Sequence, residues 1–171
     1  MSDIIIIGGG PVGSYLASLL AECGIEVSVL EASSRLGHKH SCTGIVSKEC
    51  VAKFHIEDSL ILRKLNSARL FSPSGKELHV RRDETQACVL DRSAFDRWLA
   101  RQAQNEGAEF ITGCHATNIT RAKDKVTVTA SLSGETRAFS ARAVVLACGF
   151  RTHFNDGLGT VSYTHLTLPT N

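Results

Sequence analysis

The sequence predicts an α/β fold built around a parallel sheet, and three observations carry that expectation. Ile4-Ile5-Ile6-Ile7 is a β-branched run that leads straight into Gly8-Gly9-Gly10-Pro11-Val12-Gly13. A helical pattern follows, then a second apolar strand, Val27-Ser28-Val29-Leu30, which closes on an acid, Glu31. Towards the other end, Ala143-Val144-Val145-Leu146-Ala147 is a continuous apolar stretch, as a strand covered on both faces requires. Strand, glycine turn, helix and acid-terminated strand in this order make a Rossmann-like dinucleotide site.

Each glycine has its own duty. Gly8 permits the tight turn, Gly10 lets the main chain approach a pyrophosphate, and Gly13 lets the helix pack closely on the sheet. Backbone N–H groups and the positive helix end then face the phosphates. Glu31 is placed to accept hydrogen bonds from both hydroxyls of an adenosine ribose.

The remaining elements follow in order. The first helix is predicted from about Pro11 to Cys23, with Val12, Leu16, Leu19, Leu20 and Cys23 forming its apolar face and Gly24 ending it. Ala32 to Gly37 and His38 to Gly44 read as loops, and Ser47 to Phe54 as a short helix. Ala68 to Val80 reads as two strands joined at Ser72-Pro73-Ser74-Gly75. Val89-Leu90 is a brief strand before a second helix, with Phe95, Trp98, Leu99 and Ala103 on one face and Gly107 at its end. Glu109 to Thr112 is a third parallel strand. Val126 to Ala130 turns at Ser133-Gly134 to pair with Arg137 to Ala141, and the last strand is Ala143 to Ala147.

Composition sets the outer bounds. A chain of 171 residues, 43% hydrophobic and 21% charged, suits one folded domain, or one domain and an incomplete second. A formal charge of +2, scattered apart from Arg81-Arg82, argues against a nucleic-acid partner. No apolar run approaches the ~20 residues that span a bilayer. The first strand begins so close to Met1 that no signal peptide is expected. Cys23, Cys42, Cys50, Cys88, Cys114 and Cys148 form no C-x-x-C, a pattern of reduced thiols in a cytoplasmic protein. His38, His40 and Cys42 fall short of the usual four zinc ligands, so no metal is expected. Residues 161–171, Val161-Ser162-Tyr163-Thr164-His165-Leu166 onward, resemble a common transposase sequencing adapter translated in frame. The native domain is therefore expected over residues 1–160, with a foreign tail after it.

Element order narrows the cofactor. A nicotinamide-type domain would continue in regular β-α units, whereas here loops, a short helix and a hairpin intervene, and a β-meander precedes the final strand. This arrangement resembles the FAD-binding domain of the glutathione-reductase type, a parallel sheet with β-meander and inserted substrate-domain strands, here truncated. The inserted segment would cover about residues 42–90. Cys42-Thr43-Gly44-Ile45-Val46 and Leu90-Asp91-Arg92-Ser93-Ala94-Phe95-Asp96 sharpen the match. From Ile4 to about Gly149 the chain resembles the geranylgeranyl reductase family, FAD-dependent enzymes that reduce isoprenoid double bonds.

The resemblance implies FAD as cofactor, NAD(P)H or another carrier as reductant, and a small hydrophobic substrate. It further implies that the chain is the N-terminal portion of the enzyme, with membrane-surface contact made through the missing half. It assigns the pyrophosphate to Gly8, Gly10, Val12 and Gly13, the ribose to Glu31, and the adenine to the backbone of Ala116. Cys42, Thr43 and Gly44 would lie beside the flavin. Arg92 falls at a helix N-terminus, where a cation is unfavourable without an anion nearby; the resemblance supplies a flavin phosphate. It identifies no catalytic proton donor. Cys148-Gly149 stands where flavin hydroxylases often carry Asp-Gly, which weighs against a monooxygenase. Outside the enzymes, the alternative is a non-catalytic nucleotide-binding fragment.

Overall fold

The computed structural model describes residues 2–38 and 42–149; the segment 161–171 and His40 lie outside the described residues. The chain runs β1 (Ser2–Ile7), α1 (Pro11–Glu22), β2 (Val27–Glu31), β3 (Ile45–Ser47), α2 (Lys48–Lys53), a 3-10 turn (Asp58–Leu60), β4 (Ile61–Leu65), β5 (Ser67–Phe71), β6 (Glu77–Arg81) and β7 (Ala87–Leu90). It continues through α3 (Arg92–Asn105), β8 (Glu109–Thr112), β9 (Cys114–Arg121), β10 (Val126–Leu132) and β11 (Glu135–Leu146).

The strand order of the main sheet is β8-β2-β1-β11-β10-β9. β8, β2, β1 and the end of β11 run parallel, whereas β9, β10 and the start of β11 form an antiparallel meander. Alternation along β1 decides the layers. Ile5 and Ile7 join Leu30 and the meander residues Val128 and Ala130 on one face. Ile6 joins Val29, Ala17 and Ala21 of α1, and Ala103 of α3, on the other. Ile5 and Ile6 are almost wholly buried, each worth roughly 1.5–3 kcal/mol. A one-residue slip of β1 would exchange their faces, so the register is strongly specified. Two smaller sheets, β3-β7-β4 and β5-β6, fill the excursion between β2 and α3. Ile56, Leu60 and Leu90 form a third cluster there, packed by Phe95 and Trp98 of α3. Among the described residues no helix is long and apolar enough to cross a membrane.

Three local expectations are corrected. The buried face of α1 is Gly13, Ser14, Ala17 and Ala21, with Leu16 and Leu20 of the expected line half-buried against the same core; Val12, Leu19 and Cys23 are exposed. The fully buried positions of the helix hold only small side chains. Val12, Tyr15 and Leu19 turn towards α2 and α3, where Tyr15 meets the Phe54 ring edge-on at 5.4 Å. Together with Trp98 they line a groove of about 560 Å³. Second, the meander strand and the last parallel strand are one element, β11. Ala141 pairs with Val126 on one side and Ser2 on the other, so the strand changes partner there without breaking. Third, the stretch between the third parallel strand and Val126, to which no element was assigned, holds the full strand β9, and Ala116 lies within it. Its sequence, with His115, Asn118 and Arg121 among short residues, alternates too weakly to announce itself.

Candidate cofactor site

The C-terminal ends of β1 and β2 carry the first wall. Gly8 has φ +110°, and a Cβ there would strike the Ala147 carbonyl oxygen, so only glycine fits. Its N–H donates to the Leu30 carbonyl at 2.9 Å. A Cβ on Gly13 would drive into the carbonyl oxygen of Gly8, main chain against main chain. Gly10 differs, because nothing lies within 4 Å of where its Cβ would be. That space opens in front of α1, whose N-terminus has no side-chain cap and no acid in its first turn. Pro11 has no N–H to offer. The N–H groups of Val12 and Gly13 precede the first intrahelical bond, from Ser14 N–H to the Gly10 carbonyl at 2.9 Å. Open space and main-chain donors together make a candidate cradle for an anion. The Val12 side chain is 73% exposed.

Glu31 braces this turn. Its Oε2 accepts from Gly9 N–H at 2.8 Å and its Oε1 from Ser33 N–H at 2.7 Å. A carboxylate oxygen can accept twice, so both keep capacity for a ribose hydroxyl. Ser14 is fully buried, and its hydroxyl donates to the Gly9 carbonyl at 3.0 Å. Gly9, Ser14 and Ser33 join the candidate site through these contacts, and sequence reasoning had given them no role in it. The available signal was a small hydroxyl residue directly after the last glycine.

The second wall is the start of α3. Asp91 caps the helix by accepting from Ala94 N–H at 2.9 Å. The Ser93 hydroxyl donates to the Gly37 carbonyl at 2.9 Å, tying α3 to the loop that leaves Glu31. Arg92 donates through Nε and Nη2 to Asp96, its nearest approach being 3.0 Å. The anion expected from a flavin phosphate is therefore already present within the chain, one helical turn away. Burial is the largest single influence and works against the Arg92 charge, yet the Asp96 carboxylate and, after it, Cys42 together hold the guanidinium above its ordinary range. Gly44 is buried beneath the arginine stem. A Cβ there would lie 2.7 Å from the Leu90 carbonyl oxygen and 3.1 Å from Arg92 Cγ. Cys42 and Thr43 are exposed beside it. The Gly44 backbone N–H, and after it the Arg92 guanidinium, hold the Cys42 thiol below the ordinary thiol range against an opposing desolvation.

A model of the FAD binding domain matches residues 1–167. The chain belongs to this FAD-binding family. It is 31% identical over 163 residues to digeranylgeranylglycerophospholipid reductase 2 of Methanopyrus kandleri, covering 93% of this chain and 40% of that one. It is 33% identical over 111 residues to geranylgeranyl diphosphate reductase of Rhodobacter capsulatus, covering 65% of this chain and 28% of that one. Among solved structures, a geranylgeranyl bacteriochlorophyll reductase-like protein of Thermoplasma acidophilum matches with a TM-score of 0.83 at 25% identity. That match covers 97% of this chain and 43% of the other. The chain thus spans less than half the length of these relatives.

The FAD-binding domain has the local chemistry its cofactor needs. Main-chain donors and an unobstructed approach lie at Gly10, and an acid with remaining lone pairs lies at Glu31. Gly8, Gly9, Gly13, Glu31, Ser33, Gly37, Ser93 and Arg92 form one connected margin through the contacts above. Cys42, Thr43 and Gly44 adjoin that margin at Arg92. Ala116 stands apart from it. It is 8% exposed, opposite Ala130, in the cluster that includes Ile7 and Leu30 beneath the strand ends.

Proposed function

We propose that this chain is the FAD-holding N-terminal part of an oxidoreductase that reduces carbon–carbon double bonds of an isoprenoid. One observation carries the reading: similarity to an isoprenoid-lipid reductase extends over 93% of the chain and takes in both walls of the site. Bound FAD supplies the hydride chemistry, and the chain's own residues hold and orient it. The N–H groups of Gly10, Val12 and Gly13 donate to the pyrophosphate, with Gly8 and Gly13 keeping the turn tight. The Glu31 oxygens accept from the ribose hydroxyls. The Ala116 backbone meets the adenine, and Arg92 donates to a flavin phosphate. Cys42, Thr43 and Gly44 border the flavin ring, where the missing side chain of Gly44 lets main chain approach.

NAD(P)H serves as reductant in this reading, and the substrate is a small hydrophobic molecule met at a membrane surface by the rest of the protein. Six thiols outside any disulfide suit a reducing cytoplasm. The test is anaerobic. The full-length protein should carry close to one FAD, be bleached by NAD(P)H, and be reoxidised by a geranylgeranyl-bearing lipid with loss of its double bonds. Flavin reoxidised only by oxygen, with a hydroxylated product, would replace the reductase by a monooxygenase. A purified protein without flavin would leave only a non-catalytic fold.

A further inference from the structure

Asp96 is the one charged residue fully buried among the described residues, at 6% exposure, and no role in the cofactor site accounts for it. A buried carboxylate opposes folding unless it is paired, and an apolar replacement of the whole pair is often neutral or better. Its partner, Arg92, lies one turn earlier, 3.0 Å away. Helix energetics would order them the other way. The first turn carries the positive end of the dipole, so an acid belongs there and a base after it. Here the base occupies the first helical position and the acid the second turn. What this costly orientation yields is a guanidinium fixed in one place. Its stem is confined over Gly44, where no side chain could fit. Its helix is tied to the loop after Glu31 by Ser93 on Gly37. Its tip is held by Asp96 through Nε and Nη2, which leaves the Nη1 donors outside the pair.

We propose that Asp96 is a positioning residue, which orients Arg92 so that the guanidinium presents donors to a phosphate of the bound dinucleotide. The inference rests on the reading of the site as an FAD site with Arg92 at a phosphate. It makes a prediction opposite in sign to simple electrostatics. By charge alone, a carboxylate near the phosphate weakens binding, and its removal should tighten it. If Asp96 acts by orienting Arg92, its removal weakens binding although a negative charge has gone.

The experiment titrates FAD into the flavin-free full-length protein at low and high salt, with thermal unfolding recorded for each variant. Asp96→Asn, which nearly conserves shape, should lose roughly tenfold in affinity, in the range of one charged hydrogen bond. Asp96→Glu should recover part of that loss. Arg92→Ala should bind weakly, and adding Asp96→Asn to it should cost nothing more, since the two residues act as one unit. Equal or tighter binding by Asp96→Asn, with Arg92→Ala still weak, would overturn the positioning role while leaving the FAD site intact. Additive losses in the double variant, independent of salt and matched by lower unfolding temperatures, would reduce Asp96 to a structural residue. Unchanged affinity in Arg92→Ala would remove the arginine from the phosphate, and Asp96 with it. No flavin binding by the unaltered protein would refute the FAD reading itself.

Discussion

The glycine turn between β1 and α1 is specified by close packing, whereas the ribbon of β5 and β6 is specified by little more than alternation. Around the turn, a methyl group at Gly8 or Gly13 would strike a carbonyl oxygen, and Gly9 and Ser33 both donate to Glu31. In the ribbon every residue of both strands is exposed. One face nevertheless sets Ala68 against Val80 and Leu70 against Leu78. An exposed Arg69–Glu77 ion pair at 3.3 Å adds little, and a lone two-stranded hairpin is marginal in water. The cradle therefore tolerates almost no change, and the ribbon should tolerate nearly any that keeps its turn.

The largest effect tests that contrast directly. Gly13→Ala forces a Cβ onto the Gly8 carbonyl, and overpacking of this kind costs about 1–3 kcal/mol or more when neither side can yield. Gly75→Ala in the ribbon turn meets open space and is strained only by its φ of +80°, roughly 1–2 kcal/mol. Denaturant midpoints should rank Gly13→Ala as clearly the worse. Equal losses would break the comparison.

Glu31→Ala comes next. FAD affinity should fall by about 1.5–3 kcal/mol, roughly 10- to 150-fold, as charged acceptors are lost. Because Gly9 N–H and Ser33 N–H lose their acceptor too, stability should fall in the same variant. Calorimetric titration and thermal unfolding separate the two. Unchanged affinity beside lowered stability would confine Glu31 to bracing the turn.

A smaller effect concerns Cys42. Its anionic form is favoured by the Gly44 N–H first and the Arg92 guanidinium second. Alkylation by iodoacetamide, read at the Cys42 peptide by mass spectrometry, should therefore reach half its maximal rate at a lower pH than it does at Cys42 in the unfolded chain. Arg92→Ala removes a cation that favours the anion, so the midpoint should move up. A downward or absent shift would place the guanidinium elsewhere.

The smallest effect belongs to the ribbon face. Leu70→Ser and Leu78→Ser remove exposed side chains and should shift stability by no more than about 0.5 kcal/mol. A loss of several times that would mean the face is covered, and would sharpen the contrast by showing that its packing partner lies beyond the described residues.

Most of the turn between β1 and α1 was legible in the sequence because its determinants are local. A glycine forced to φ +110° at Gly8, a proline at the first helical position and an acid closing β2 each express themselves within a few residues. The hairpin at Ser72 to Gly75, the short helix after Ser47 and the helix stop at Gly107 were legible for the same reason. Arg92 shows where that reading thins. Its place at the start of α3 was visible, but its partner was not, because a carboxylate four residues on can face solvent or the core, and only the packing of α3 on its neighbours buries Asp96.

By itself, then, the sequence determined the succession of strand, turn and helix, the glycines of the turn and the acid that closes β2, all matters of backbone conformation and short-range periodicity. Tertiary structure alone decided that α1 fully buries only its small residues, that β11 passes unbroken from one partner to another at Ala141, and that β9 is a strand at all. Those outcomes depend on the distance between layers and on which distant main chain completes each hydrogen-bond ladder. Neither is encoded in any window of neighbouring residues; both arise only when the whole sheet closes.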